Sequence, residues 1–152
     1  MEREDVLSGI KRYFDTDELV CNHLMKHYSA NMGRCWDFLD DRFLENLLII
    51  RRDILKSPMY CNNLSAGTYQ RGIRCNLCEL VKEKDRPYLS AHVLGKGGDF
   101  TVVGMTAHEA REKIKENAHL LPHPLRMEAD VTWLHIDVMP TPNGKKVYEF
   151  KE

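Results

Sequence analysis

The sequence predicts an α+β protein, with helices in the first half of the chain and strands dominating the second half. Two N-terminal segments carry apolar residues at helical spacing, and β-branched and aromatic runs follow the middle of the chain. Because the helices and strands do not alternate regularly, a small, largely antiparallel sheet is expected. A chain of 152 residues can bury one hydrophobic core, so residues 1–152 are predicted to form a single domain.

The N-terminal helices are predicted from capping signals followed by apolar periodicity. Asp15 and Glu18 have the spacing of a capping box, and apolar residues at helical spacing follow them. A second and more apolar helix is predicted within residues 39–55, capped by Asp40 or Asp41. This helix is the best candidate for the centre of the core, and its buried face would be formed by Phe43, Leu47, Ile50 and Ile54.

The remaining elements are shorter, apart from one helix. A capping box of Thr106 and Glu109 predicts the start of that helix. His92 is expected to end one strand and Asp99 to begin the next, with a glycine loop between them. In chain order, we expect a strand and turn in 57–65, a short helix in 75–84, strands in 86–93 and 99–105, a helix in 106–121, and strand material in 125–140 and 142–150.

The composition excludes several classes of function. With 22 basic and 23 acidic residues the net charge is -1, so no electrostatic attraction to nucleic acid is expected. The first residues are charged where a secretory signal needs an apolar core, and no apolar run approaches the ~20 residues of a membrane span. We therefore expect synthesis in the cytoplasm, no membrane partner, and reduced thiols at the five cysteines. The composition indicates no oligomeric state.

Two short stretches carry candidate metal ligands. In SAHVLGKGGD, His92 and Asp99 flank a glycine loop that lets the backbone fold back on itself. In WLHIDV, the period of two in a strand places Trp133, His135 and Asp137 on one face. Two histidines and one aspartate would supply three protein ligands, and catalytic zinc sites typically keep a fourth position open.

These residues match the motifs of a known family. Ser90, His92, Gly95 and Asp99 fit the pattern S-x-H-x-x-G-x-x-x-D, and WLHID fits the tryptophan-x-histidine block that follows it. The chain thereby resembles the zinc peptidases of the D-alanyl-D-alanine carboxypeptidase and L-alanyl-D-glutamate endopeptidase superfamily, which cut peptidoglycan stem peptides and include many phage endolysins. The resemblance implies a hedgehog/D-Ala-D-Ala peptidase-like fold and Zn²⁺ bound by His92, Asp99 and His135.

A third block resembles the serine-glycine-x-arginine motif of the same family. Gly72 and Arg74 match the motif, whereas Arg71 replaces its serine. The resemblance implies that Arg74 holds the substrate and assists catalysis, since a guanidinium forms bidentate bonds with carboxylates. Ser90 and Trp133 are expected to contact the substrate as well. The N-terminal half is similar to phage-encoded members, so the resemblance extends from about residue 13 to 138.

The family also implies a group that transfers a proton from the attacking water to the leaving amine. Thr132 stands three positions before the last ligand, where the family often carries an acid or a histidine. On one uninterrupted strand Asp137 shares the face of His135, whereas Glu128 and Asp130 would need a turn or bulge to reach the metal. Asp137 is therefore the predicted proton-transfer residue, with Glu128 and Asp130 as alternatives. A role for Asp137 in orienting His135 is the other interpretation.

Other metal-binding patterns are incomplete. Cys75 and Cys78 have the C-x-x-C spacing of zinc ribbons, but the sequence has no second such pair, so buried free thiols are expected. His23 and His27 are four residues apart but lack the glutamate of an H-E-x-x-H motif, and a core or surface position is expected for both.

The predicted function is zinc-dependent hydrolysis of an amide bond in peptidoglycan stem peptides, by either a carboxypeptidase or an endopeptidase. The alternative is a catalytically weak or inactive zinc-containing module that binds the cell wall or serves as a phage structural protein. Thr132, in the position of the family's acid, favours this alternative. An enzyme made without an export signal would reach the wall only after release, as during phage lysis.

Overall fold

The computed structural model describes residues 1–152, apart from the side chain of Leu64. The α-helices are α1 (Arg3–Ile10), α2 (Thr16–Leu19), α3 (Asn22–His27), α4 (Asp41–Ile49), α5 (Glu79–Lys82) and α6 (Ala107–Glu116). Segments of 3-10 helix lie at Met32–Phe38, Leu64–Ala66, Ala118–Leu120 and Pro142–Gly144. A π-helical segment lies at Ile50–Leu55. Within the described residues, no helix combines the length and the apolar character that a membrane crossing requires.

The strands form one five-stranded mixed sheet with the order β1-β2-β4-β3-β5. They are β1 (Met59–Tyr60), β2 (Gly97–Val102), β3 (Leu125–Glu128), β4 (Leu134–Asp137) and β5 (Val147–Phe150). Three neighbouring pairs are antiparallel, as predicted, whereas β3 and β5 are parallel. The parallel pair arises because the chain reverses after β4 and passes to the far side of β3, where it takes the direction of β3. The fold is therefore α+β, as the sequence predicts.

The central helix begins at the predicted cap. The carboxylate of Asp40 accepts hydrogen bonds from the backbone N–H groups of Arg42 (2.8 Å) and Phe43 (3.4 Å). Helix α4 then continues into the π-helical segment and ends at Lys56, whose φ is +54°. It packs against α1, and the π-helical segment packs against α6. The apolar periodicity of this stretch thus correctly identified the centre of the core.

The first predicted helix is instead two short helices. The capping box of Asp15 and Glu18 is present, but α2 ends at Leu19 because Val20 and Cys21 are extended. The carbonyl of Leu19 accepts a hydrogen bond from the N–H of Ile73 at 2.9 Å, rather than continuing a helix. A contact with a distant segment therefore overrides the local helical pattern.

Residues 86–93 do not form the predicted strand. The N–H of Leu94 bonds to the carbonyl of Ser90 (3.1 Å), and the N–H of Lys96 bonds to that of Ala91 (2.8 Å). These bonds close a turn that uses the groups a strand would offer to a neighbour. His92 consequently lies in a turn, and Asp99 lies within β2 rather than at its start.

The two faces of the sheet differ sharply in chemistry. One face is apolar and packs against α6, as expected from the alternation along each strand. Its buried residues include Phe100, Leu125, Met127, Leu134 and Ile136. The opposite face carries the polar residues of the same three strands. This second face forms the floor of the candidate site.

Candidate metal centre

The strand register places the predicted ligands together. Asp99 of β2 lies directly opposite His135 of β4, and Arg126 of β3 lies opposite Asp137 of β4. Because directly opposite residues of neighbouring strands project from the same face, each pair can form a direct contact. His92 reaches the same point from the turn before β2. The sheet therefore assembles the three residues that the sequence singled out as ligands.

The three ligand groups surround one point. Nδ1 of His135 is 2.7 Å from Oδ1 of Asp99, and Nε2 of His92 is 3.3 Å from Oδ2 of Asp99. The ligand atoms of the three residues all lie within 4.8 Å of one another. All three side chains are buried. Two imidazoles and one carboxylate form a donor set that suits a divalent metal ion, including zinc.

In each of the two histidines, the ring nitrogen that faces away from the candidate metal position has a hydrogen-bond partner of its own. The carbonyl of Gly72 accepts a hydrogen bond from Nδ1 of His92 at 2.8 Å, which leaves Nε2 for a metal ion. Nε2 of His135 is 2.7 Å from Oδ2 of Asp137, which leaves Nδ1 for a metal ion. Metal-binding histidines characteristically donate their other N–H to a carbonyl or carboxylate, which fixes the orientation of the ring.

Glycine is required at position 72 for this arrangement. A Cβ atom at Gly72 would lie 2.3 Å from the carbonyl oxygen of Leu19, closer than any non-bonded contact allows. The segment from Arg71 to Arg74 also bonds to both sides of the site: the N–H of Asp99 donates to the carbonyl of Arg71 (2.7 Å), and the N–H of Arg74 donates to that of His92 (3.1 Å). The segment that holds His92 is thus itself held between α2 and β2.

The electrostatics keep the central carboxylate ionised. Burial by itself raises the pKa of Asp99, but hydrogen bonds with His135 and His92 outweigh it and lower that pKa well below the usual value. Burial by itself lowers the pKa of His135, yet hydrogen bonds to Asp137 and Asp99 raise it to about 9. Asp99 is therefore held in the form that binds a cation.

Asp137 lies behind His135 rather than in the cleft. Its side chain is fully buried, accepts two hydrogen bonds from the Arg126 guanidinium (2.8 and 2.9 Å), and accepts a third from the N–H of Met139 (3.0 Å). Burial opposes ionisation, but the bonds to His135 and Arg126 lower the pKa of Asp137. A carboxylate so fully occupied fits the orienting role better than the predicted proton transfer.

A cleft of about 500 Å³ opens above the three ligands. Its walls include all the residues predicted to contact the substrate, namely Arg74, Ser90 and Trp133. Trp133 exposes 37% of its surface, an unusually large fraction for a tryptophan. Arg74 is mostly buried, and its Nη2 lies 3.7 Å from Oδ2 of Asp99. The cleft therefore places a guanidinium beside the candidate metal centre.

Glu128 lines this cleft, as do the ligand Asp99 and the C-terminal Glu152. Glu128 and His135 do not share one uninterrupted strand, because β3 ends at Glu128 and the chain reverses through Asp130, whose φ is +62°. Asp130 is exposed and pairs with Lys151 at 2.9 Å. Burial raises the pKa of Glu128. This reversal is the turn that the sequence analysis required for Glu128 to approach the metal, and aspartate is a common turn residue.

A second cluster was missed by the sequence analysis. Cys21, His23, Cys75 and Cys78 place one ligand atom each within 4.8 Å of all the others. The sequence has no second C-x-x-C pair, but the fold brings the C-x-H pair of Cys21 and His23 beside Cys75 and Cys78. That spacing was the available signal, although nothing in the sequence shows that the two segments meet. All five cysteines are free thiols, as predicted.

Fold and site together define an α+β protein with a candidate metal centre of two histidines and one aspartate at the base of a polar cleft. Comparisons with protein-family models, with curated proteins and with solved structures find no match to this chain. Both residue clusters are compatible with a metal ion.

Proposed function

We propose that this chain is a zinc-dependent peptidase that hydrolyses an amide bond in peptidoglycan stem peptides. The observation that carries the proposal is the convergence of His92, Asp99 and His135 at the base of a cleft, with Glu128 and Arg74 on its walls. This set combines the ligands of a catalytic metal centre with an acid–base group and an anion-binding group. It also agrees with the family resemblance of the motifs, which implies a hedgehog/D-Ala-D-Ala peptidase-like fold.

The donor set fits zinc, and three residues would hold the ion. His92 would bind through Nε2, His135 through Nδ1 and Asp99 through its carboxylate, since the other ring nitrogens bond to Gly72 and Asp137. When bound, zinc would polarise the scissile carbonyl and lower the pKa of the attacking water.

Glu128 is assigned the proton-transfer role in this proposal. It lines the cleft together with the three ligands, and burial raises its pKa, the direction expected for a carboxyl group that both accepts and donates protons. Asp137 acts as a positioning residue that holds the ring of His135. This assignment supplies the acid that Thr132, exposed at the surface, cannot provide.

Arg74 and Trp133 would hold the substrate. Stem peptides carry free carboxylates, which a guanidinium binds through charge-assisted hydrogen bonds. Trp133 presents an exposed ring on the cleft wall, where it can cover the apolar alanine side chains of such a peptide. The chain would meet this substrate at the cell wall.

The test is cleavage of purified peptidoglycan by the zinc-loaded protein. We expect new amino termini, located by mass spectrometry of the released fragments, and their positions would separate carboxypeptidase from endopeptidase activity. Glu128→Gln should lower the rate of cleavage by about 10²–10⁴-fold while zinc stays bound, and Asp130→Asn, a matched change at an exposed carboxylate, should not. Zinc-loaded protein that produces no new termini would refute the proposal.

The alternative proposal, a catalytically weak or inactive module, makes a different prediction in the same assay. Thr132, in place of the family's usual acid, is the observation that favours it. Such a module would sediment with insoluble peptidoglycan without cutting it. Loss of that binding in Arg74→Ala would then assign the cleft to wall recognition.

A further inference from the structure

We propose that Cys21, His23, Cys75 and Cys78 form a second metal site, which binds a structural zinc ion outside the cleft. Sγ of Cys78 lies 3.6 Å from Nδ1 of His23 and 4.0 Å from Sγ of Cys75. Each of the four residues directs one ligand atom to a common point. Three thiols and one imidazole with no open position are the ligand set of structural zinc sites.

The backbone on both sides of the site is arranged for ligation. In the turn from Cys75 to Cys78, the N–H of Cys78 donates to the carbonyl of Cys75 at 3.1 Å. The N–H of Leu77 donates to Sγ of Cys75 at 3.4 Å, and such a bond stabilises a thiolate. Cys21 lies in the extended link between α2 and α3, and His23 follows it in the first turn of α3. The interruption of the predicted helix at Val20 and Cys21 is what brings this pair to the turn.

Burial distinguishes this cluster from a pair of redox-active cysteines at the protein surface. Cys21 and Cys78 are buried, and Cys75 and His23 are half-buried. A disulfide needs only two sulfur atoms about 2.05 Å apart, whereas Cys75 and Cys78 are 4.0 Å apart and accompanied by a third thiol and an imidazole. Soft thiolate ligands combined with imidazole select zinc over hard cations such as Mg²⁺ or Ca²⁺.

The proposed ion would cross-link two segments that have little regular structure of their own. As far as the structure describes them, residues 56–96 contain as regular structure only the two-residue strand β1, one 3-10 turn and the four-residue helix α5. Cys75 directly follows Arg74, so the ion would also fix the backbone beside the cleft. Because structural zinc binds the folded chain, it should contribute directly to the free energy of folding.

The first test uses the unmodified chain. The reduced, metal-free protein is titrated with Co²⁺, and we expect the intense near-ultraviolet absorption of thiolate-to-cobalt charge transfer. The cleft ligands contain no sulfur, so this band reports only the cysteine cluster. A missing band would overturn the proposal, as would an intact mass two hydrogens lower that maps to a Cys75–Cys78 disulfide.

The second test counts zinc by elemental mass spectrometry. Cys75→Ser/Cys78→Ser should lose one equivalent of zinc per chain relative to the unmodified protein, whereas Cys35→Ser, a buried thiol outside the cluster, should lose none. His92→Ala should lose the cleft equivalent and keep the cobalt–thiolate band, so failure of the proposed peptidase and failure of this second site are distinguishable. Unchanged zinc content in the double variant would overturn the second site.

Discussion

At the scale of single residues, two carboxylates besides Asp99 lie near the candidate centre in different surroundings. Glu128 faces the cleft, whereas Asp137 is buried behind His135 and saturated by Arg126 and Met139. The sequence could not separate them, since the separation depends on where β3 ends. The two residues therefore offer a direct test of which carboxylate transfers protons and which one orients a ligand.

We expect Asp137→Asn to lower zinc affinity at the cleft by roughly 10–100-fold, because an amide holds the His135 ring less firmly than a carboxylate. Glu128→Gln should leave zinc affinity unchanged and lower kcat/KM by about 10²–10⁴-fold. Competition with a metallochromic chelator measures the affinity, and peptide cleavage measures the rate. Full zinc affinity with lost activity in Asp137→Asn would return the proton-transfer role to Asp137.

Gly72 is expected to be intolerant of even one added methyl group. In Gly72→Ala, the new Cβ would meet the carbonyl of Leu19 at 2.3 Å, and the backbone shift would displace the carbonyl that holds His92. We expect zinc affinity at the cleft to fall by roughly 10-fold or more. Gly33→Ala is the matched control, since its Cβ would meet Asn31 at an ordinary 3.5 Å. Equal affinities in the two variants would contradict this role.

At the scale of secondary-structure elements, Asp40 anchors the central helix. Burial raises its pKa, but the Arg42 side chain and the backbone N–H groups of Arg42 and Phe43 lower it more strongly, so the net pKa is below the usual value. We expect Asp40→Ala to lower the free energy of unfolding by about 1 kcal/mol near neutral pH. Asp40→Asn should retain most of the cap, because an amide oxygen also accepts from N–H groups.

The pH dependence of this cap follows from the direction of the shift. A pKa lowered by folding contributes stability above the unfolded-state value of about 4, and the contribution is lost as the pH falls through the folded-state pKa. The difference between the unmodified protein and Asp40→Ala should therefore shrink below about pH 4. Urea denaturation across pH measures it, with the exposed Asp37→Ala as the control. A difference that grows on acidification would contradict this assignment.

The secondary-structure elements also show which features of the fold can be predicted from residues close together in sequence. The caps at Asp15, Asp40 and Thr106 were predictable because a cap depends only on residues within one helical turn. The interruption after Leu19 and the turn around His92 were not, because contacts with Ile73 and closure of the Ser90–Lys96 turn decide them.

The candidate site follows the same division between local and long-range information. His92, Asp99 and His135 were identified from residue type, spacing and family motifs, without their geometry. The place of Glu128 depended on the reversal after β3, and the cysteine cluster depended on contact between segments more than 50 residues apart in sequence. Sequence spacing gives ligands that share a motif, whereas a site assembled from separate segments requires the fold.

At the scale of the whole molecule, metal ions should act as stabilising ligands. An ion that binds only the folded chain at 1,000 times its Kd adds about 4 kcal/mol to the free energy of unfolding. For a chain of this size, that corresponds to a rise in Tm of roughly 8–16 °C. We expect the metal-free protein to melt lower than the zinc-loaded protein in differential scanning fluorimetry. Magnesium, which prefers oxygen ligands, is the control ion, and an equal Tm with and without zinc would contradict both sites.

The segment from Arg71 to Arg74 connects the two candidate metal clusters. It bonds to Leu19 beside the cysteine cluster, to His92 and Asp99 in the cleft, and it leads directly into Cys75. An ion at either cluster would restrain this same stretch of backbone. By thermodynamic linkage, occupancy of one cluster should then raise the affinity of the other, and the factor must be identical in both directions. Through these four consecutive residues, a metal ion bound at one site would thus regulate the metal affinity of the other site.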